Sequence, residues 1–187
     1  EVEQTDSTNV LLAEMDLEGK YPEGTVLFAS QQTAGRGQFN RKWESATGEN
    51  ILCSILLKPQ NLKISQVFNL NIAITLGVFD TLNNYFPDRV KIKWSNDILV
   101  DDKKIAGILI ENQIGPNYLR RCVAGIGLNI NQAEFGESLP FATSVKIVSG
   151  ENHDIDLWKK ELLRKINFYY IRFLQGLSPV DHKKYIK

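Results

Sequence analysis

The stretch VKIKWSNDILVDDKKIAGILIE, residues Val90 to Glu111, decides the fold class. It contains three runs rich in aliphatic and β-branched residues, VKIKW, DILV and KIAGILIE, and such runs bounded by polar residues read as strands. Asp101-Asp102-Lys103 is the only spacer between the second and third, so it reads as a hairpin turn. A parallel pair would need a crossover of about a dozen residues or more, and none is available here, so these strands are antiparallel. LRRCVAGIGLNIN, from Leu119 to Asn131, adds a further strand-like run.

Upstream, TVLFAS (Thr25 to Ser30) and ILCSILLK (Ile51 to Lys58) also read as strands. A short first helix is expected where Val10, Leu11 and Met15 follow the polar cluster Asp6-Ser7-Thr8-Asn9, ending near Gly19. From about Ser65 to Phe86, Val67, Leu70, Ile74, Val78, Leu82 and Tyr85 keep helical spacing, and apolar residues on the other faces predict a well-buried helix. A last helix begins near Asp154 or Asp156 and carries Trp158, Leu162, Ile166, Tyr169 and Phe173. Strands grouped between helices, with few βαβ alternations, predict an α+β domain with a mixed, mainly antiparallel sheet flanked by helices.

Composition narrows the function classes. The chain has 187 residues, 43% of them hydrophobic, enough for one domain with a continuous core. Lys plus Arg and Asp plus Glu are 22 each, so no net positive charge is available to hold a phosphate backbone, and nucleic-acid binding is disfavoured. Cys53 and Cys122 sit in apolar runs without a neighbouring Cys or His, which points to buried reduced thiols and a cytoplasmic home. The most apolar long segment, Val67 to Val78, is broken by Asn69, Asn71 and Thr75 and is too short to span a bilayer. No secretory signal is visible at the N-terminus, and no repeat or low-complexity tract occurs.

Three segments carry chemistry. Between the first two strand runs lies a long polar loop, and long loops in compact domains are usually functional or disordered. Within it, Gly35-Arg36-Gly37-Gln38-Phe39-Asn40-Arg41-Lys42-Trp43 sets three cations among glycines that permit positive φ and close approach of an anion to main-chain N–H groups. It lacks both the third glycine of a dinucleotide fingerprint and the GK[ST] ending of a P-loop. In the second segment, Lys93-Trp94-Ser95-Asn96-Asp97 precedes Lys103-Lys104-Ile105-Ala106-Gly107 on adjacent strands, where Asp97 could meet Mg²⁺ and Lys104 a phosphate. Ordinary hairpin charge is the alternative. The third, Gly125-Ile126-Gly127-Leu128-Asn129-Ile130-Asn131, places glycines inside a strand and then two amides, one of which could read an adenine edge; a bulged strand ending in an Asn-rich turn fits equally well.

Taken together and in order, DSTN, QQTAGRGQFNRKW, KWSNDILVDDKKIAGILIE and GIGLNIN resemble the biotin protein ligase family, also called biotin-[acetyl-CoA-carboxylase] ligase or holocarboxylase synthetase, from about Asp6 to Asn131. The resemblance implies the fold shared with lipoate ligases and class II aminoacyl-tRNA synthetase catalytic domains. It also implies a two-step reaction: the biotin carboxylate attacks the α-phosphorus of Mg-ATP, then the acceptor lysine of a biotin carboxyl carrier protein attacks biotinyl-5′-AMP. By that likeness Ser7, Thr8, Asn9 and Gln32 bind biotin, with backbone around Gly35 and Arg36 assisting. Trp43 shelters biotin and adenylate, and Gly107 and Gly125 leave room along the valeryl chain. Lys104 draws carboxylate and α-phosphate together and is the first choice for the essential residue. Arg36 and Arg41 gather phosphate oxygens, Asn129 faces adenine, and Asn96 and Asp97 lie near the triphosphate and its Mg²⁺, with Asp97 also considered as a base.

Many relatives carry Arg or Gly where Gln38, Phe39 and Asn40 stand, and Pro where Ser95 stands. The resemblance implies one catalytic domain over residues 1–187, with no DNA-binding region before DSTN, hence no repressor activity, and with a C-terminal β-barrel-like domain absent or not included. It leaves a homodimer open. A lipoate or octanoyl ligase would carry an RRxxGG-type loop and a nearby histidine, and neither is present. A non-catalytic module of the same fold would be favoured by loss of Lys104 or Arg36, and both remain. His153 and His182 lie away from every motif and are expected to be surface residues.

Overall fold

The computed structural model describes residues 1–176. The described residues pack as two compact units, one formed by Glu1–Val67 with Ile108–Leu128, the other by Phe68–Gly107 with residues 129–176.

In the first unit β1 (Val2–Thr5), β2 (Val26–Gln32), β3 (Asn50–Leu57), β7 (Leu119–Asn129) and the C-terminal part of β6 (Lys103–Ile114) are successive sheet neighbours. The strand β2 pairs antiparallel with β3, whereas β1 pairs parallel with β2, because the helix α1 (Thr8–Met15) and its following turn carry the chain back between them. Sequence patterning does not reveal β1, since Val2 is the only apolar residue among its four. Leu12 of α1 packs on Leu27, Leu56 and Val123, and both Cys53 and Cys122 are buried and in no disulfide among the described residues.

An eight-residue helix is marginal by itself, and α1 is fixed at its end by a buried ion cluster. The Asp16 carboxylate, 1% exposed, receives Lys58 Nζ at 2.9 Å and Arg121 Nη1 at 3.3 Å, while Arg121 also donates to the carbonyls of Ala13 and Asp16. Burial alone would push this carboxyl up. Hydrogen bonds from Lys58, the Tyr21 amide and Arg121 outweigh burial and hold it below its ordinary value. A depressed folded value means stabilisation that is present above the unfolded value of about 3.9 and lost as pH falls through the folded one. Thermal melts from pH 5 to pH 2 should therefore fall more steeply for the native chain than for Asp16→Asn; parallel curves would remove the cluster from acid stability.

In the second unit β4 (Val90–Lys93), β5 (Asp97–Val100) and the start of β6 are antiparallel neighbours, as the deciding stretch predicts. Val100 pairs with Lys103, leaving Asp101 and Asp102 as a two-residue turn with φ of 49° and 63°, the left-handed geometry that suits the twist of a hairpin. Both side chains are anchored, Asp101 by a forked pair with Arg89 and Asp102 by Lys91 at 2.8 Å. The helix α2 (Val67–Asn83) is buried on most of its faces, as its composition predicts, although Tyr85 beyond its end is half exposed.

Helix α4 (Ile155–Leu174) starts at Asp154, whose carboxylate caps the amides of Asp156 and Leu157. It packs on α2 at Gly77, where a Cβ would lie 2.7 Å from Ile166 Cα. Tyr170 is buried in α4 along with Trp158, Leu162, Ile166 and Tyr169, a place the spacing assigns to Phe173. The short helix α3 (Val145–Ser149) has no patterning signal and is held by its Ser144 cap and by Gly150 at φ 85°. His153 is half-buried: its backbone exchanges hydrogen bonds with the Asn131 side chain, and its ring sits edge-on to Trp158. His182 lies outside the described residues.

Candidate active site

The residues singled out by the sequence divide between the two units. In the first, Ser7 sits at the N-cap of α1, buried, and its hydroxyl does not cap the helix. Gln32, at the end of β2, does that work instead: its Oε1 accepts from Thr8 N at 2.7 Å and from Thr8 Oγ1 at 3.0 Å. One of the orphan amides that begin every helix is thereby satisfied by a side chain 24 residues away.

Ser54 is the hub of this group. It is fully buried in β3, and its hydroxyl lies 2.7 Å from Thr8 Oγ1 and 2.6 Å from Asn9 Oδ1. The Asn9 amide donates to Leu109 O at 3.2 Å and to Glu111 Oε2 at 2.8 Å, which engages both of its N–H donors. Glu111 Oε1 in turn pairs with Arg36 Nη2 at 2.9 Å. A continuous chain of polar contacts thus runs Gln32, Thr8, Ser54, Asn9, Glu111, Arg36. Asn9 is engaged on both its amide nitrogen and its amide oxygen within this chain. Sequence reasoning missed Ser54, hidden in an apolar run, and it quoted Glu111 without a role.

The glycines act differently from expectation. Neither Gly35 nor Gly37 adopts positive φ; Phe39 does, at 55°. The loop folds back as a small hairpin, with Trp43 N donating to Gly35 O and Gly37 N to Arg41 O. A Cβ at Gly35 would lie 2.4 Å from the Trp43 carbonyl oxygen, so the space that the glycine opens is filled by the loop's own return strand. In β7 a Cβ at Gly125 would meet Asn9 Oδ1 at 2.3 Å, and one at Gly127 would meet the Trp43 indole at 2.3 Å. Gly127 was given no role by sequence, yet it seats Trp43. Arg41 is exposed on the loop.

In the second unit, Lys104 is fixed at both its backbone ends: its N–H donates to Phe141 O at 2.7 Å and its carbonyl accepts from Thr143 N at 2.8 Å. Its ammonium meets Asp97 Oδ1 at 2.7 Å, with the two side chains 37% and 18% exposed. Gly107 is buried directly across from Asp97 in the β5–β6 ladder. The same segment anchors Asn129, whose Nδ2 donates to Thr143 O at 2.9 Å. Asn129 Oδ1 is buried without a hydrogen-bond partner, and an orphaned acceptor of this kind calls for an explanation such as a ligand donor. Segment 141–143 therefore holds both a cation and a bare amide oxygen, and no sequence pattern announces it. Asn96 is half-buried beside Asp97.

Among the described residues no group of three or more His, Cys, Asp or Glu is arranged to hold a metal ion, and no helix is long and apolar enough to cross a membrane.

A model described as the biotin/lipoate A/B protein ligase family matches residues 1–129. Over 136 residues the chain is 38% identical to the bifunctional ligase/repressor BirA of Bacillus spizizenii, covering 71% of this chain and 42% of that protein. It is 32% identical over 175 residues to the biotin--[acetyl-CoA-carboxylase] ligase of Mycobacterium tuberculosis, covering 92% of this chain and 64% of that protein. The chain thus spans between 42% and 64% of the length of these two relatives. Among solved structures, the biotin protein ligase from Aquifex aeolicus in complex with biotin and ATP matches with a TM-score of 0.78 at 28% identity, covering 93% of this chain and 70% of that one. The expected fold, a mainly antiparallel sheet flanked by helices, is borne out.

Proposed function

Because the chain belongs to the biotin/lipoate A/B protein ligase family, we propose that it is the catalytic domain of a biotin protein ligase. It joins biotin to AMP and passes the biotinyl group to a lysine of a biotin carboxyl carrier protein. The observation that carries this reading is the pairing on segment 141–143 of an anchored lysine with a buried, bare amide oxygen. An acyl adenylate needs both: a cation for its phosphate and an acceptor for the adenine amino group.

In the first step a biotin carboxylate oxygen bonds to the α-phosphorus and pyrophosphate leaves. Two anions must approach each other, and the Lys104 ammonium offsets their repulsion. Asp97, 2.7 Å from that ammonium, keeps it aimed until the substrates arrive. Asp97 and Asn96 are the groups of this region that would hold a magnesium ion, which would neutralise charge on the phosphates. Arg36 and Arg41 gather phosphate oxygens. The urea head of biotin offers two N–H donors and a carbonyl, each costing about 1–3 kcal/mol if buried unmatched, and Ser7, Thr8 and Gln32 supply the complement. Trp43, held over Gly127, excludes water from the mixed anhydride. In the second step the lysine amine bonds to the biotinyl carbonyl carbon, AMP leaves, and the amine loses a proton.

Incubating the protein with biotin, Mg·ATP and a carrier domain should yield carrier heavier by one biotinyl group on intact-mass measurement, with no gain when the carrier's acceptor lysine is replaced. Unmodified carrier together with no detectable biotinyl-5′-AMP would overturn the proposal.

A further inference from the structure

We propose that Glu111 is a positioning residue for the adenylation step: its carboxylate holds Arg36 in the ligand-free chain and releases it when nucleotide phosphate offers a stronger anion. This rests on the nucleotide-binding role given to Arg36 above. The carboxylate is bridged, one oxygen taken by Asn9 Nδ2 at 2.8 Å and the other by Arg36 Nη2 at 2.9 Å. Asn9 is buried and fixed by Ser54 and Leu109, so the Glu111 end of the pair is the stationary one. Arg36 belongs to the loop hairpin and is half exposed. Together with Asn9, Val10, Ala13 and Val123 the pair borders a cavity of about 370 Å³, which gives the guanidinium room to leave.

The strength of the pair suits exchange. Exposed ion pairs contribute little, equivalent to a factor of no more than about five in an equilibrium, whereas an arginine on phosphate gains forked, charge-assisted bonds. The carboxylate therefore competes with phosphate without blocking it. Its contacts to Asn9 also link the loop to the polar chain through Ser54 to Thr8 and Gln32, so the loop arginine rests against the group assigned to the urea head of biotin.

Glu111→Gln keeps an acceptor for Asn9 and removes the charge that holds Arg36. Two measurements test the idea: the rate of trypsin cleavage after Arg36 in ligand-free protein, and KM for Mg·ATP in biotin-dependent pyrophosphate exchange. The KM measurement is to be repeated in an Arg36→Ala background, which has no cleavage site at this position. The expected result is cleavage about two- to fivefold faster, KM for Mg·ATP lower by about the same factor, and no effect of Glu111→Gln once Arg36 is alanine. Unchanged cleavage, an equal effect in both backgrounds, or a raised KM for biotin with that for ATP unmoved would overturn it, the last because the carboxylate would then act through Asn9 alone. If the native chain shows no exchange, the functional reading fails while trypsin cleavage still decides whether Glu111 holds Arg36.

Discussion

Lys104→Ala is expected to lower biotin-dependent exchange of pyrophosphate into ATP by about 10²- to 10³-fold, the effect of removing one preorganised charge from a site of developing anionic charge. Most of the loss belongs to the rate at saturating substrates, because the ammonium matters most when carboxylate and phosphorus approach. Folding should be nearly unaffected. The lysine side chain is 37% exposed, and such a pair contributes about 1 kcal/mol or less, so Tm should fall by no more than about 4 °C. Removing the lysine also leaves the Asp97 carboxylate uncompensated where phosphate must bind. Unchanged exchange in Lys104→Ala would take the residue out of the reaction, and a large drop in Tm would make its role structural.

The second large effect is expected at Gly125. Alanine there places a Cβ 2.3 Å from Asn9 Oδ1 and 2.9 Å from its Cγ, a contact real structures do not hold. Asn9 cannot swing aside cheaply, because it is buried and bound to Leu109 O, Glu111 and Ser54. Overpacking costs about 1–3 kcal/mol, and a broken buried hydrogen bond adds about 1–3 kcal/mol. Gly125→Ala should thus lower Tm by about 5 °C or more and cut kcat/KM for biotin by at least tenfold. Since the damage passes through one side chain, Gly125→Ala combined with Asn9→Ala should be little worse than Asn9→Ala alone. Additive losses would show that Gly125 is needed for another reason.

These two residues also mark where the sequence is legible and where it is not. Lys104 lies in a hairpin whose composition, spacing and Asp101-Asp102 turn dictate local geometry, so its strand could be read directly. The long helices were legible for the same reason, since their apolar spacing is a local property. Gly125 could be flagged as odd inside a strand, but the group it makes room for is Asn9, 116 positions away in the chain. The same holds for Gly35, whose neighbour is the return strand of its own loop. Ser54 looks like filler in ILCSILL because its partners, Thr8 and Asn9, are more than 40 positions away. Segment 141–143 carries no periodicity and earns its place by backbone contacts to Lys104 and by one carbonyl to Asn129. Local rules decide elements; packing between distant segments decides which polar groups remain available for chemistry.

Pyrophosphate exchange with the unmodified chain tests the proposed chemistry most directly. Labelled pyrophosphate should enter ATP when biotin is added and not when lipoate is added in its place. Exchange supported by lipoate instead, or none with biotin in a folded protein that binds both biotin and Mg·ATP, would contradict biotin adenylation by this chain.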